Sequence, residues 1–249
     1  KKYGADISEI LSFREEAAKK LDALESGDLA VKEAEAALAK AYAAALAEAE
    51  RLSGIRSENA KILSDQVGAS LKYLDMPKAR FEVKVSRDYS SDGKEILNPN
   101  GCDSVCFMFT ANPGYPMKEL SKVASGGELS RTVLAIKCAL AGKQGVDTVI
   151  FDEIDTGVSG ATSQKIGMKL RELSKHIQVI CVTHSPQVAS LADAHFFIHK
   201  SEKDGKAESF VRLLTDEERI SEIAPIIGGV TVTDKQIQAA REMLDTNKD

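Results

Sequence analysis

Apolar positions in the first third of the chain recur at helical spacing. Leu38, Tyr42, Ala45, Ala49 and Leu52 step by four, three, four and three, which is the a/d seam of a coiled coil. Ile55, Ile62, Leu71 and Leu74 carry a similar stripe onward. Eleven alanines fall between Ala30 and Glu50, and Glu, Lys and Leu fill most other positions, so intrinsic propensity agrees with the pattern. The pattern predicts one helix over about Ile7–Leu24, a break at Glu25-Ser26-Gly27-Asp28 with Asp28 as N-cap, and a long helix over Leu29–Leu74. At 1.5 Å per residue that second helix measures about 70 Å. A seam so poor in large side chains buries little per turn, so it calls for a partner helix. No other segment has matching length, and the partner is expected from a second copy or from polypeptide outside these residues.

From Pro77 the period changes, and all six prolines lie beyond residue 76. Phe81, Val83 and Val85 alternate with charged residues as in a half-exposed strand. A turn at Ser90-Ser91-Asp92-Gly93, a strand over about Val105–Thr110 and a stop at Asn112-Pro113-Gly114-Tyr115-Pro116 follow. Helices are then predicted over about Glu128–Leu140, Gly160–Ser174 and Gln187–Ala192. They alternate with apolar strands over Thr148–Phe151, Val179–Thr183 and His195–His199. This alternation is that of an α/β fold with a mainly parallel, buried sheet, whose function sits at the C-terminal ends of the strands.

Composition narrows the class. The 249 residues carry a net charge of −5, which gives no global pull toward nucleic acid or anionic membrane. From Met76 onward, 22 basic and 24 acidic residues nearly balance without a sustained basic run, so no DNA-contact surface is legible. Cys102, Cys106, Cys138 and Cys181 form no CxxC pair, and a reducing cytoplasm is the expected home. No apolar run reaches the length of a membrane span, so no membrane partner is expected. A start at Lys1, already close to a helix, suggests a piece of something longer.

Four short elements carry chemistry. The strand Thr148-Val149-Ile150-Phe151 runs into Asp152-Glu153, and two carboxylates at the exit of a buried strand are costly unless they act there. Ser125-Gly126-Gly127-Glu128 opens a helix, where glycines admit close approach and free N–H groups face an anion. Asp155-Thr156-Gly157 is a polar turn directly after the acidic pair, and Val179–Thr183 ends at His184, placed to touch a terminal phosphate. A Ser125–Asp152–His184 hydrolase triad fails, because Val123-Ala124-Ser125-Gly126-Gly127 lacks the first glycine of a nucleophile elbow and no apolar strand precedes it. His195 and His199 lie about 13 Å apart along a strand, too far to share a metal.

In order and spacing these elements resemble the C-terminal lobe of an ABC-type P-loop ATPase head. Ser125, Gly126, Gly127 and Glu128 match its signature motif, Thr148–Glu153 its Walker B strand, Asp155-Thr156-Gly157 its D-loop and His184 its switch histidine. Glu128 after the glycines and Ile154 after Asp-Glu are similar to the SMC-like branch rather than to transporters. Met76–Phe81, Asn112-Pro113-Gly114, Ala124–Arg131, Phe151–Gly160, Val182–Gln187 and Ile220–Ala224 with Gly228-Gly229 resemble the RecN family of bacterial DNA repair proteins. The resemblance implies residues 1–76 as the returning arm of an antiparallel coiled coil and 77–249 as the head lobe. It further implies ATP and Mg²⁺ as cofactors, Asp152 as a Mg²⁺ ligand through water, Glu153 as general base and His184 on the terminal phosphate. Ser125, Gly126, Gly127, Glu128 and Asp155 then belong to nucleotide-dependent closure against a second head. The implied partners are an N-terminal half bearing the P-loop, a second copy through the heads, and DNA held during double-strand break repair and recombination, near the nucleoid.

The chain itself has no G-x-x-x-x-G-K-[ST]: Gly93-Lys94, Gly142-Lys143 and Gly205-Lys206 lack both the upstream glycine and the following hydroxyl. Alone it is expected to bind ATP weakly and hydrolyse it negligibly. Two other readings stay open on the residues: the head of another SMC-like DNA-tethering ATPase, and a non-enzymatic coiled-coil scaffold.

Overall fold

A computed structural model describes residues 3, 6–93, 95–123, 126–143, 145–203, 206–229 and 231–246; at 26, 28, 201–203, 206 and 207 the backbone alone is described. The chain divides into two compact units, residues 1–58 with 85–104 and residues 59–84 with 105–249. A single helix, α1 (Ile7–Tyr73, 67 residues), contributes to both.

The break predicted at Glu25–Asp28 is absent: the backbone is helical throughout Ser26-Gly27-Asp28. One glycine costs a helix about 1 kcal/mol, which strong helix formers on both sides offset. In the first unit Leu38, Tyr42 and Ala45 of the predicted seam are exposed, while Ala49 is buried and Leu52 half-buried. The loop of residues 85–104 covers that stretch. At Gly101, where φ is +104°, a Cβ would stand 3.2 Å from Arg56 Nη1 and 3.3 Å from Leu52 Cδ2. A side chain there is strained by the backbone conformation and requires Arg56 or Leu52 to shift. Buried Asp103 accepts a hydrogen bond from Ser53 Oγ at 3.1 Å and lies 3.8 Å from Arg56 Nη1. Asp103, from the covering segment, thus meets Ser53 and Arg56 of the helix at this part of the seam.

The second unit is an α/β assembly with three small sheets among the described residues. The first is ordered β1 (Arg80–Arg87), β2 (Asp103–Thr110), β3 (Lys118–Glu119), with β2 and β3 antiparallel. Strands β1 and β2 run on into the first unit. The second sheet pairs β4 (Thr148–Asp152) with β5 (Gln178–Val182) in parallel. The third is an antiparallel pair of β6 (Phe196–Lys203) and β7 (Lys206–Leu213). The helices are α2 (Gly126–Ala139), α3 (Gly160–Ser174), α4 (Pro186–Ala189), α5 (Asp216–Gly228) and α6 (Asp234–Thr246).

Two predictions about the sheet are corrected here. The strand at His195–His199 does not extend the parallel sheet; it pairs along its whole length with β7, which follows too closely in sequence for a parallel crossover. The β4–β5 sheet is also covered on one face only. Val149, Phe151, Val179 and Cys181 pack into the core, whereas Ile150, Ile180 and Val182 are exposed at 67, 44 and 47%. Strictly alternating side chains send the other half of each apolar strand to the uncovered face.

Helix α2 lies at the centre of this unit. Leu134 joins Leu74, Phe151, Ile154, Ile166, Leu170, Leu173 and Val188 in one cluster. Ala135 and Ile136 join Val67, Leu71, Phe81 and Phe109 in another. The end of α1 is therefore core. Asp75, two residues beyond it, adopts φ +59° and accepts hydrogen bonds from Thr162 Oγ1 at 2.7 Å and Lys165 Nζ at 2.6 Å on α3. A third cluster, Ala189, Ile220, Ile223, Ala224, Ala240 and Leu244, packs α4 with α5 and α6. Thr215 and Glu218 close a capping box at the start of α5.

Leu71 is fully buried and Leu38 is 70% exposed on the same helix. Leu71→Ala is expected to cost about 3 kcal/mol in chemical denaturation. Leu38→Ala, measured at protein concentrations low enough to hold the chain monomeric, is expected to change stability by less than about 0.5 kcal/mol.

Candidate functional site

The parallel ladder pairs Thr148 with Gln178 and continues in step to Asp152 with Val182. Both strands leave the sheet in the same direction, so Glu153 and the Thr183-His184 pair emerge at one edge. One further bond extends the ladder, with Glu153 N–H donating to the Val182 carbonyl at 3.0 Å. Beyond it the chain reverses. Glu153 takes φ +48°, and its carbonyl accepts from Thr156 N–H at 3.1 Å. Gly157 follows at φ +75°. A glutamate in the left-handed region is held there against a cost of about 1–3 kcal/mol, a feature that concentrates at functional sites.

Asp152 and Glu153 are both exposed. Among the described residues nothing covers the second face of the sheet, so Asp152 and Glu153 carry no burial cost there. The carboxylate that is buried is Asp155, at 4% exposure. Its Oδ2 accepts a short hydrogen bond from Thr183 Oγ1, and its Oδ1 is buried with no hydrogen-bond partner among the described residues. Thr183 Oγ1 in turn accepts from Ser185 N–H at 3.0 Å. His184, between these two tied residues, is exposed.

At the start of α2, Ser125 lies outside the described residues. Gly126 is exposed, and Gly127 and Glu128 are half-buried. A Cβ on Gly127 would stand 3.3 Å from the Thr156 carbonyl and 3.3 Å from Arg131 Nη1. The glycine therefore lets the helix start abut the turn that carries Asp155. The sequence elements at 126–128, 152–157 and 183–184 are thus brought to one region of the second unit.

Sequence reasoning missed Arg131 and Thr183. Arg131 is 8% exposed, its Nε sits 3.5 Å from Met76 Sδ, and its Nη1 lacks a hydrogen-bond partner among the described residues. Burial lowers its pKa, and the nearby Glu128 works the other way. A signal was present: Arg131 stands on the apolar stripe of α2 with Leu134, Ala135 and Cys138 at helical spacing. Thr183 offers no such signal, since threonine in an apolar strand reads as an ordinary strand former.

Among the described residues no group of three His, Cys, Asp or Glu side chains could hold a metal ion. Burial pushes the Cys138 thiol up to about 11 and the Cys181 thiol up to about 12, which makes both poor nucleophiles. His199 stacks on Phe197 and Phe210, with ring centroids 5.8 and 5.3 Å apart.

No family model matches the chain. It is 41% identical over 98% of its length to the DNA repair protein RecN of Halalkalibacterium halodurans, and covers 43% of that protein. It is 39% identical over 98% of its length to the DNA repair protein RecN of Bacillus subtilis, and covers 44% of it. The chain thus spans less than half the length of these curated relatives. Among solved structures it is similar to an Smc head domain with a coiled coil and joint from Pyrococcus yayanosii. There the TM-score is 0.53 at 18% identity, covering 98% of this chain and 39% of that one. The fold is accordingly that of an α/β lobe of an Smc-type head joined to a long helix. No helix among the described residues is long and apolar enough to cross a membrane.

The backbone at Glu153 makes a separable prediction. Glu153→Gly and Glu153→Ala both remove the carboxylate, but only glycine adopts φ +48° freely. Glu153→Gly is expected to be the more stable of the two by about 1 kcal/mol in denaturant titration.

Proposed function

We propose, for a chain whose sequence matches a segment of RecN proteins, that it supplies the C-terminal lobe of an SMC-like ATPase head whose nucleotide is held by polypeptide outside these residues. In this reading residues 1–76 form the returning arm of an antiparallel coiled coil and residues 77–249 the lobe. The reading is carried by the shared edge at which Glu153 and His184 leave the parallel β4–β5 pair, beside the glycine-rich start of α2.

Each residue's task follows from its chemistry. Glu153, exposed at the ladder's end, orients and deprotonates the attacking water. His184 donates to or accepts from the terminal phosphate. Asp152 contributes to a water-mediated Mg²⁺ shell; that ion, when present with ATP, neutralises charge on the phosphates. Ser125, Gly126, Gly127 and Glu128 meet the γ-phosphate held on a second head, where backbone N–H groups at a helix start favour an anion. Asp155 faces into its own lobe and serves from beneath, in the turn that α2 abuts. ATP then joins two heads and hydrolysis releases them, so that the whole protein holds DNA ends during double-strand break repair.

The test uses the longer protein that carries this segment together with its P-loop portion. Glu153→Gln is expected to lower ATP turnover by about 100-fold or more while ATP-dependent head dimerisation persists. The 249-residue chain alone is expected to show no turnover above background. Turnover by the isolated chain at the rate of the longer protein, or a Glu153→Gln protein with undiminished turnover, would refute the reading.

A further inference from the structure

Thr183 lies outside the residues so far given a chemical task, yet its hydroxyl joins two turns that have one. A threonine hydroxyl has one proton to donate and two lone pairs to accept with. Here the proton goes to Asp155 Oδ2, in the turn after β4. One lone pair accepts from the Ser185 N–H at 3.0 Å, in the turn after β5. The ladder holds the same two turns one step earlier, through Glu153 N–H and the Val182 carbonyl at 3.0 Å. Ser185 is itself buried and its Oγ donates to Gln187 Oε1 at 2.8 Å, which fixes the entry into α4. His184 is therefore the exposed residue between two anchored neighbours.

We infer that Thr183 is a positioning residue. Its hydroxyl couples the Glu153–Gly157 turn to the His184 turn, so that the general base and the phosphate-facing histidine keep one fixed separation. The inference rests on the ATPase reading above, and its energetic sense comes from Asp155. That carboxylate is buried, with Oδ1 already unpartnered among the described residues. Removing the Thr183 hydroxyl takes away the donor that Asp155 has among the described residues, and the turn regains one by moving outward toward water. Such movement carries Glu153 with it, because the Glu153 carbonyl and Thr156 N–H close the same turn at 3.1 Å. Thr183→Val keeps the side chain's shape and deletes both bonds, whereas Thr183→Ser keeps both.

In the longer protein, Thr183→Val is expected to lower kcat for ATP hydrolysis about tenfold with KM for ATP unchanged, and Thr183→Ser to restore it. By hydrogen exchange with mass spectrometry, peptides covering 153–157 and 184–186 are expected to exchange faster in Thr183→Val and normally in Thr183→Ser. Unchanged exchange in the valine variant overturns the coupling. Faster exchange with unchanged kcat, in a protein still inactivated by Glu153→Gln, overturns the positioning role and leaves the ATPase reading intact. Turnover insensitive to Glu153→Gln overturns both.

Discussion

The parallel pairing of β4 with β5 decides where the chemistry of this lobe stands. Parallel strands exit a sheet at the same edge, and a residue-by-residue register leaves no freedom in what emerges together. Because Val149, Phe151, Val179 and Cys181 must face the core, slipping either strand by one residue would turn those side chains into solvent. The hydrophobic requirement thus fixes the register, and the register brings Glu153 beside Thr183. Helix α2 then meets the turn because a glycine, and nothing larger, stands opposite the Thr156 carbonyl.

Around that edge the polar groups divide into two kinds. Asp152, Glu153 and His184 are exposed and open to a ligand. Asp155 and Arg131 are buried, each with an atom left without a hydrogen-bond partner among the described residues. A buried group left partly unsatisfied is a cost of about 1–3 kcal/mol in the folded state. The left-handed backbone at Glu153 adds a cost of similar size at the same turn.

Much of this was legible in the residues. The parallel pair, α2, α3 and the stop after β2 follow from apolar periodicity and Gly-Pro punctuation, and their bounds agree with the structure to within two residues. Less legible were the continuity of α1 through Ser26-Gly27-Asp28, the antiparallel partner of β6 and the one-sided burial of β4–β5. Each depends on what packs nearby or on the sum over a long helix, and local patterns report neither. The exposed Asp152 and Glu153 illustrate the point: an apolar strand implies burial only if both faces are covered.

The sequence by itself determined the order of the elements, the types of chemical group and their spacing, because propensity, turn chemistry and motif spacing are properties of neighbours along the chain. Only the tertiary structure decided which acid is buried. It joined Thr183 to both Asp155 and Ser185, and it set Gly127 against the Thr156 carbonyl. The bond from Thr183 to Asp155 and the abutment of Gly127 on Thr156 join segments distant in sequence. They exist only once the hydrophobic faces of the helices and strands have closed on one another.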